Sequence, residues 1–343
     1  MHLRVDALDS REALDALEPE WSALWQCDRA ASAFESPAWL LPWTRHLWGG
    51  GKLRVLAVRN GRDLVGLAPL FFWGYGSRPE VVRVSFLGAG ITDHLGMLAA
   101  PGFEVEAARL VFERLADMSE QWHVCDLEEL RPCSPLLRAE LPRGVSGRNA
   151  PSGVCPVLAL PETADDLYSG LQPKFRKNLR QAEARLRRDG AEFVLTAPHE
   201  TADVMRALFR LHTARWKERR EPGMLAADAL QRFHLEAVDR LAREGMLRLY
   251  SVRLRGEIIA AQYNLRRDGR IYYYLSGFDP AHARYSPGAA LLSFIIRSTI
   301  EEGGTEFDFL RKREEYKYQW GARDRVSRRL LLTPSVLYAR DVA

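Results

Sequence analysis

The chain of 343 residues is long enough for two ordinary domains, and its composition, 47% hydrophobic and 27% charged, is that of a globular protein. No apolar run approaches the roughly 20 residues a membrane helix needs, and the N-terminus MHLRVDALDSREALDAL carries too many acids for a signal peptide, so cytoplasmic residence is expected. The net charge of +4 is unevenly placed: residues 1–150 hold 16 Lys+Arg against 20 Asp+Glu, while residues 151–343 hold 33 against 25, which points an anionic ligand to the second half.

Residues 10–28 place Leu14, Leu17, Trp21, Leu24 and Trp25 on one helical face. Ser36-Pro37 gives a cap and a first-turn proline for a helix to about Trp48. LRVLAVR, the turn Asn60-Gly61 and LVGLAPLFFW read as a hairpin. Strands near 81–87 and 93–98, a helix over 103–118 and the strand HVCDLEEL complete the first half. PCSP, GVSG and APSG make 131–156 a linker or long crossing loop. A strand at 154–159 opens the second half. A basic helix over 173–189, the strand AEFVLTA, helices over 199–219 and 227–244, and a hairpin over 247–265 follow. The chain then predicts a strand at 271–278, a short loop, a helix starting at Ser286-Pro287-Gly288 and a strand at 305–310. Cys27, Cys125, Cys133 and Cys155 form no CxxC pair and the histidines are scattered. No metal site is expected.

LRLYSVRLRGEIIAAQYNL (247–265) aligns with LRVLAVRNGRDLVGLAPL (53–70). Leu53, Arg54, Val58 and Arg59 coincide with Leu247, Arg248, Val252 and Arg253. Each hairpin is followed by a strand, a Pro-Gly helix start (Pro101-Gly102 and Pro287-Gly288) and a closing strand with an inward Asp (Asp126 and Asp308). The chain thus reads as two copies of one unit. The first helix opens with Phe-Glu-Val-Glu, whose carboxylates repel phosphate; the second opens with Ala-Ala-Leu-Leu. A helix N-terminus offers free N–H groups and about half a positive charge, so only the second copy leaves that place vacant.

SPGAALLSFIIRSTIEEGGTEFDFLRKREEYKYQW, preceded by Arg284, resembles the pyrophosphate-binding signature of GNAT acyltransferases. More narrowly it resembles the tandem GNAT group of CelD-type proteins linked to cellulose biosynthesis, which is related in fold to the Fem aminoacyltransferases. KFRKNLRQAEARLRRDG is similar to a segment common to both. The resemblance covers roughly residues 155–335; the first half is similar in architecture only. It implies an α+β (mixed α/β) fold of two tandem GNAT-like domains, each a mixed, mostly antiparallel sheet flanked by helices. A degenerate domain would occupy 1–150 and an acyl-CoA-binding domain 151–343. The sequence departs from the family at the loop, where either Arg284 or Tyr285 takes the leading position, and at Lys312, where a glycine is usual.

On this reading Ser286 caps the helix, the N–H groups of Gly288, Ala289 and Ala290 point at a pyrophosphate, and Arg284 adds charge; an ordinary helix start is the plainer alternative. The resemblance implies that strand 271–278 diverges from the closing strand, freeing backbone groups of Leu275, Ser276 and Gly277 for the pantetheine and thioester carbonyl of acetyl-CoA or another acyl-CoA. Asp308 and Glu315 are candidates for the base, Tyr316 for protonating the thiolate and Lys317 for an anionic substrate, each with a packing or solvated role as the alternative. Trp320 reads as core. Lys174, Arg176, Lys177, Arg180, Arg185, Arg187 and Arg188 crowd the basic helix beside one acid, Glu183. Arg176 and Arg180 there are candidates for substrate contact, and the helix is either a solvated face or a surface for a cofactor phosphate, an anionic glycan or tRNA. Trp216 is a candidate for lining the acceptor cleft. The expected activity is acyl-CoA-dependent, acetyl first, N- or O-acyl transfer to a small amine, sugar or polysaccharide precursor. Attack is direct in a ternary complex, because no Cys or Ser sits in a nucleophile motif. The alternatives are Fem-like transfer from aminoacyl-tRNA, and a non-catalytic binding protein with a vestigial site in an exopolysaccharide system.

Overall fold

A computed structural model describes residues 2–75, 78–218, 225 and 227–335. Its elements are, in order, β1 (Leu3–Leu8), α1 (Arg11–Cys27), α2 (Pro37–His46), β2 (Lys52–Leu53), β3 (Val55–Asn60), β4 (Asp63–Ala68), β5 (Leu70–Tyr75), β6 (Arg78–Phe86), β7 (Leu98–Ala99), α3 (Glu104–Asp117), β8 (Val124–Leu130) and β9 (Val145–Ala159). Then come α4 (Ala164–Gly170), α5 (Pro173–Arg188), β10 (Ala191–Leu195), α6 (Thr201–Glu218), α7 (Asp228–Arg243), β11 (Leu247–Leu254), β12 (Glu257–Arg267), β13 (Arg270–Phe278), α8 (Pro287–Glu301), β14 (Glu306–Asp308), α9 (Glu315–Gln319) and β15 (Arg323–Pro334). Among the described residues no helix is long and apolar enough to cross a membrane. The fold is mixed α+β with mostly antiparallel sheets flanked by helices. Two compact units divide it: Met1–Gly153 with Val326–Ala343, and Val154–Arg325. The segment from Val326, placed by sequence with the second half, thus clusters with the first.

In the first unit, Ser10 Oγ accepts the Ala13 N–H to start α1, which buries all five predicted apolar residues. Ser36 makes no such side-chain cap for α2; its hydroxyl donates instead to the Ala33 carbonyl. The β3–β4 hairpin joins β1 and β7 in one sheet. Pro69 has no N–H and falls between β4 and β5, and the chain changes sheet there. β5 pairs antiparallel with β6, β6 parallel with β8, and β8 antiparallel with β15. The strand expected at 93–98 shrinks to Leu98–Ala99.

The second unit is one sheet in the order β10-β11-β12-β13-β14-β9, antiparallel except for β13–β14. The strand expected at 154–159 thus begins at Val145, inside the stretch read as a linker or crossing loop. Pro156 cannot donate, but its carbonyl accepts the Phe309 N–H, and the Val154 carbonyl accepts that of Lys312. One face carries α5 and α8, whose Leu179, Leu186, Leu291 and Ile295 share a core with Ile271, Phe307 and Phe309. α6 lies close against β13 on the other face. A Cβ on Gly277 would come within 2.8 Å of the His212 nitrogen, so glycine is required there.

The aligned hairpins agree in detail. The β3–β4 register shifts between Val58 and Arg59, and the β11–β12 register shifts between Val252 and Arg253. These are the residue pairs the alignment superposes. Each bulge arginine reaches a glutamate, Arg59 to Glu20 at 2.5 Å and Arg253 to Glu200 at 2.8 Å.

Candidate functional site

β13 and β14 pair only through Arg270–Glu306, Ile271–Phe307 and Tyr272–Asp308. β14 ends at Asp308 while β13 runs on to Phe278, so the two strands part and leave a wedge beside the α8 face. Five residue steps of strand lead from Tyr273 to Phe278, roughly 16 Å at about 3.3 Å per residue. A bulge between Tyr263 and Asn264 in the β12–β13 register redistributes the tyrosine run. Tyr274 packs with Tyr263 and His234. Tyr273 packs with Phe307 and Phe309, and its hydroxyl lies 2.7 Å from Ser276 Oγ.

The far end of the wedge is the start of α8. A Cβ on Gly288 would sit 3.5 Å from Phe278 Cδ1, an ordinary contact. Pro287 at the first position has no N–H, and the Gly288 and Ala289 N–H groups meet no acceptor among the described residues. Three expectations fail here. Ser286 is left-handed, with φ 52, and makes no side-chain cap; its backbone closes the preceding turn onto Ala283 and accepts the Ala290 N–H at 3.1 Å. Ala290 is therefore fully buried and its N–H is spent. Arg284 does not lean over the helix end either. Its guanidinium stacks 4.8 Å above the Tyr285 ring and bonds that hydroxyl, which donates to Asp189 at 2.7 Å. Leu275 and Ser276 line the parted edge, partly exposed, whereas Gly277 is buried against α6.

The near end holds Tyr316, whose ring meets Phe309 and whose hydroxyl reaches Glu314 Oε2 at 3.4 Å and bonds with Tyr273. Burial first, then Tyr273 and Glu314, push its phenol far above the ordinary tyrosine value. It therefore stays protonated and acts as a hydrogen-bond donor, not as a base. Ser276, Tyr273, Tyr316 and Glu314 thus form a polar chain that the sequence reading missed in Tyr273 and Glu314. The tyrosine run was the available signal, but the bulge that sorts its members was not visible.

Asp308 is fully buried. Its Oδ1 accepts the Leu310 N–H at 2.8 Å, bracing a left-handed residue, and its Oδ2 lies 3.7 Å from Arg325. Lys317 is 2% exposed and donates to the carbonyls of Leu310, Arg311 and Lys312 at 3.2, 2.8 and 2.9 Å. All three ammonium donors pin the loop, so it is not a surface cation for a substrate. Glu315 is exposed on the first turn of α9. Trp320 is core, edge-on to Tyr168 and Phe175.

On α5, Arg176 is half-buried and donates to the Tyr168 carbonyl. Arg187 pairs with Glu183, and Arg188 with Asp189. Lys174, Lys177, Arg180 and Arg185 are exposed, with no ion pair among the described residues. A shallow groove along the helix is lined by Arg176, Lys177 and Arg180. Trp216 is on α6, but its side chain lies outside the described residues.

Residues 173–318 match the family model for an acetyltransferase (GNAT) domain. No curated protein matches the sequence. Among solved structures the chain is similar to FemX, at 10% identity with all of both chains covered and a TM-score of 0.70. It is similar to the C-terminal domain of a protein from Agrobacterium fabrum described as a lysylphosphatidylglycerol synthetase, at 13% identity, 97% and 95% coverage and a TM-score of 0.58. L-PGS from Bacillus licheniformis gives 14% identity, 95% and 92% coverage and a TM-score of 0.57. At such identities the likeness is one of fold. The second unit thus carries a segment that matches a GNAT acetyltransferase domain, on a fold shared with FemX.

Proposed function

We propose that the second unit transfers an acyl group, acetyl first, from a coenzyme A thioester to an amine or hydroxyl of a small acceptor. The observation that carries this is the wedge, with a helix N-terminus that has no side-chain cap and no first-turn acid at one end and a tyrosine pair at the other. A pyrophosphate at the Gly288 and Ala289 N–H groups would accept hydrogen bonds where no side chain competes. The arm of the cofactor would then run along β13, where Leu275 and Ser276 line the parted edge. The thioester would lie near Tyr273 and Tyr316.

The acceptor attacks the carbonyl carbon, the C–S bond breaks, and the thiolate leaves. The Tyr316 hydroxyl donates a hydrogen bond to the developing charge, worth roughly 3 kcal/mol by analogy with oxyanion donors. Glu315, exposed at α9, is the proposed acceptor of the nucleophile's proton. Asp308, closed in by Leu310 and Arg325, holds the strand end instead. The CelD-type resemblance favours a sugar or polysaccharide precursor as acceptor. Calorimetric titration with acetyl-CoA tests the reading: saturable binding lost in Gly288→Glu is expected, and no binding of any coenzyme A thioester overturns it.

A second reading has its own observation. The four unpaired cations of α5 suit a polyanion, and with the fold likeness to FemX they support transfer from aminoacyl-tRNA. Filter binding of tRNA that steepens at low salt and weakens in Lys177→Glu/Arg180→Glu would favour it. Saturable acetyl-CoA binding without tRNA retention would remove it.

A further inference from the structure

The first unit contains a cavity of about 410 Å³, within the range of small-molecule sites. Its base is an ion pair. Glu35, 2% exposed, takes Arg131 on both carboxylate oxygens, at 3.1 and 3.0 Å, and the Ser32 N–H at 2.6 Å. Gly96 admits that carboxylate: a Cβ there would come 2.7 Å from Glu35 Oε1. Glu35 is thus satisfied by the protein itself.

Two other lining residues, Ser134 and Arg138, are not. The turn Pro135–Leu137, which reaches the cavity through Pro135, is flanked by Ser134 and Arg138. The Ser134 residue is 7% exposed, yet its hydroxyl has no hydrogen-bond partner. A buried unsatisfied hydroxyl costs roughly 1–3 kcal/mol, so its retention points to something that binds it. Arg138, exposed beside it, has no ion pair among the described residues. Two carboxylates, Asp28 and Glu104, also line the cavity. Asp28 accepts the N–H groups of Ala30, Ala31 and Ala99. Burial nevertheless pushes its carboxyl above the usual range, with Glu35 adding to the rise and the Ala99 N–H and Arg131 opposing it. A positive group placed there would relieve that strain.

We infer that this cavity binds a small zwitterion of amino-acid size, its carboxylate on Arg138 and the Ser134 hydroxyl and its ammonium on Asp28 and Glu104. The site goes beyond acyl transfer and depends on no residue of the wedge.

The chain supplies its own reporter. Cys27 and Cys133 line the cavity and are exposed, while Cys125 and Cys155 are buried. The full chain is treated with iodoacetamide in the presence of each of the proteinogenic amino acids at ~10 mM, with acetate and methylamine as half-ligands. Alkylation is read at each cysteine by peptide mass. At least one amino acid is expected to slow both thiols by threefold or more, the occupancy effect of a ~5 mM site, while neither half-ligand does so. Arg138→Ala should abolish the protection. Ser134→Ala should weaken it while leaving the melting temperature of the free protein unchanged or higher. Protection by acetate as strong as by any amino acid overturns the zwitterion. Absence of protection, or protection that survives Arg138→Ala, overturns the site.

Discussion

The two units build the same strand–helix–strand device and finish it differently. In the first, β6 runs parallel to β8, with α3 between them in sequence and β15 antiparallel on the far side of β8. In the second, β13 runs parallel to β14, with α8 between them and β9 antiparallel beyond. The start of α3 is filled by its own chain: Glu104 Oε2 accepts the Gly102 N–H at 2.9 Å. The start of α8 has a proline, a glycine and an alanine, and no carboxylate. The buried aspartates diverge as well. Asp126 is gripped by Arg83 and by both nitrogens of a forked Arg329 contact, all at 2.7 Å, whereas Asp308 turns to a backbone N–H. One scaffold thus has a helix start filled by its own carboxylate in one place and a start without one in another, and the change needs only a few residues in a first helical turn.

The largest effect is expected where the second unit holds the loop after its closing strand. The first unit pins the equivalent segment with the Arg131–Glu35 pair, the second with Lys317. Lys317→Met should cost about 4 kcal/mol in denaturant unfolding, because three hydrogen bonds to an ammonium are lost and the carbonyls lose their donor. A substitution that left stability intact and raised only the KM for an anionic substrate would return Lys317 to the role first expected of it. Next in size is a transplant of the first unit's acid. Ala289→Glu should weaken acetyl-CoA binding at least ~100-fold, about 2.7 kcal/mol. An acid in that turn also suits the helix dipole, so the melting temperature should hold or rise. Unchanged affinity would separate the phosphate seat from α8. Tyr316→Phe comes third, with a loss of roughly 100-fold in kcat, the equivalent of about 3 kcal/mol, at unchanged KM and stability. Because its phenol titrates far above the usual value, the rate should show no inflection from this group below about pH 10.

Most of the fold could be read from local pattern. The amphipathic face of α1, the hairpins and the Pro-Gly helix starts each follow from neighbours in sequence, and the superposed bulges show that the hairpin alignment was real. What escaped depends on distant partners. β9 was expected only at 154–159; the stretch before it, with Pro151, reads as loop, yet the strand begins at Val145. β15 was not predicted at all. At the site, Ser286 makes no side-chain cap and Lys317 is buried on three carbonyls, contrary to the reading of the sequence. Leu310, Lys312 and Ser286 all adopt positive φ without being glycine. Such residues redirect every side chain that follows, and propensity gives no warning of them. Tyr273 was missed for a related reason: one extra residue in a bulge moves a side chain to the other face.

The smallest expected effect concerns acid. His234 on α7 is 1% exposed among Phe233, Tyr263 and Tyr274, and burial first, with His212 second, depresses its pKa from 6.5 to about 3. The folded state therefore holds it neutral while the unfolded chain protonates. Between those values the unfolded state binds more protons, so stability falls as pH falls. From pH 6.5 to about 5.5 the loss is about 1 kcal/mol. Asp28 in the first unit has the opposite sign: its raised pKa means that protonation relieves a cost, and mild acid favours that unit. Hydrogen exchange followed by peptide mass should therefore show α7 amides opening about fivefold more readily over that interval, with no matching rise around α1. In His234→Phe the α7 slope should vanish whatever the absolute protection, since the difference between two pH values cancels the change in packing. An equal slope in both units would mean that acid acts on the whole chain, and His234 would not be its origin.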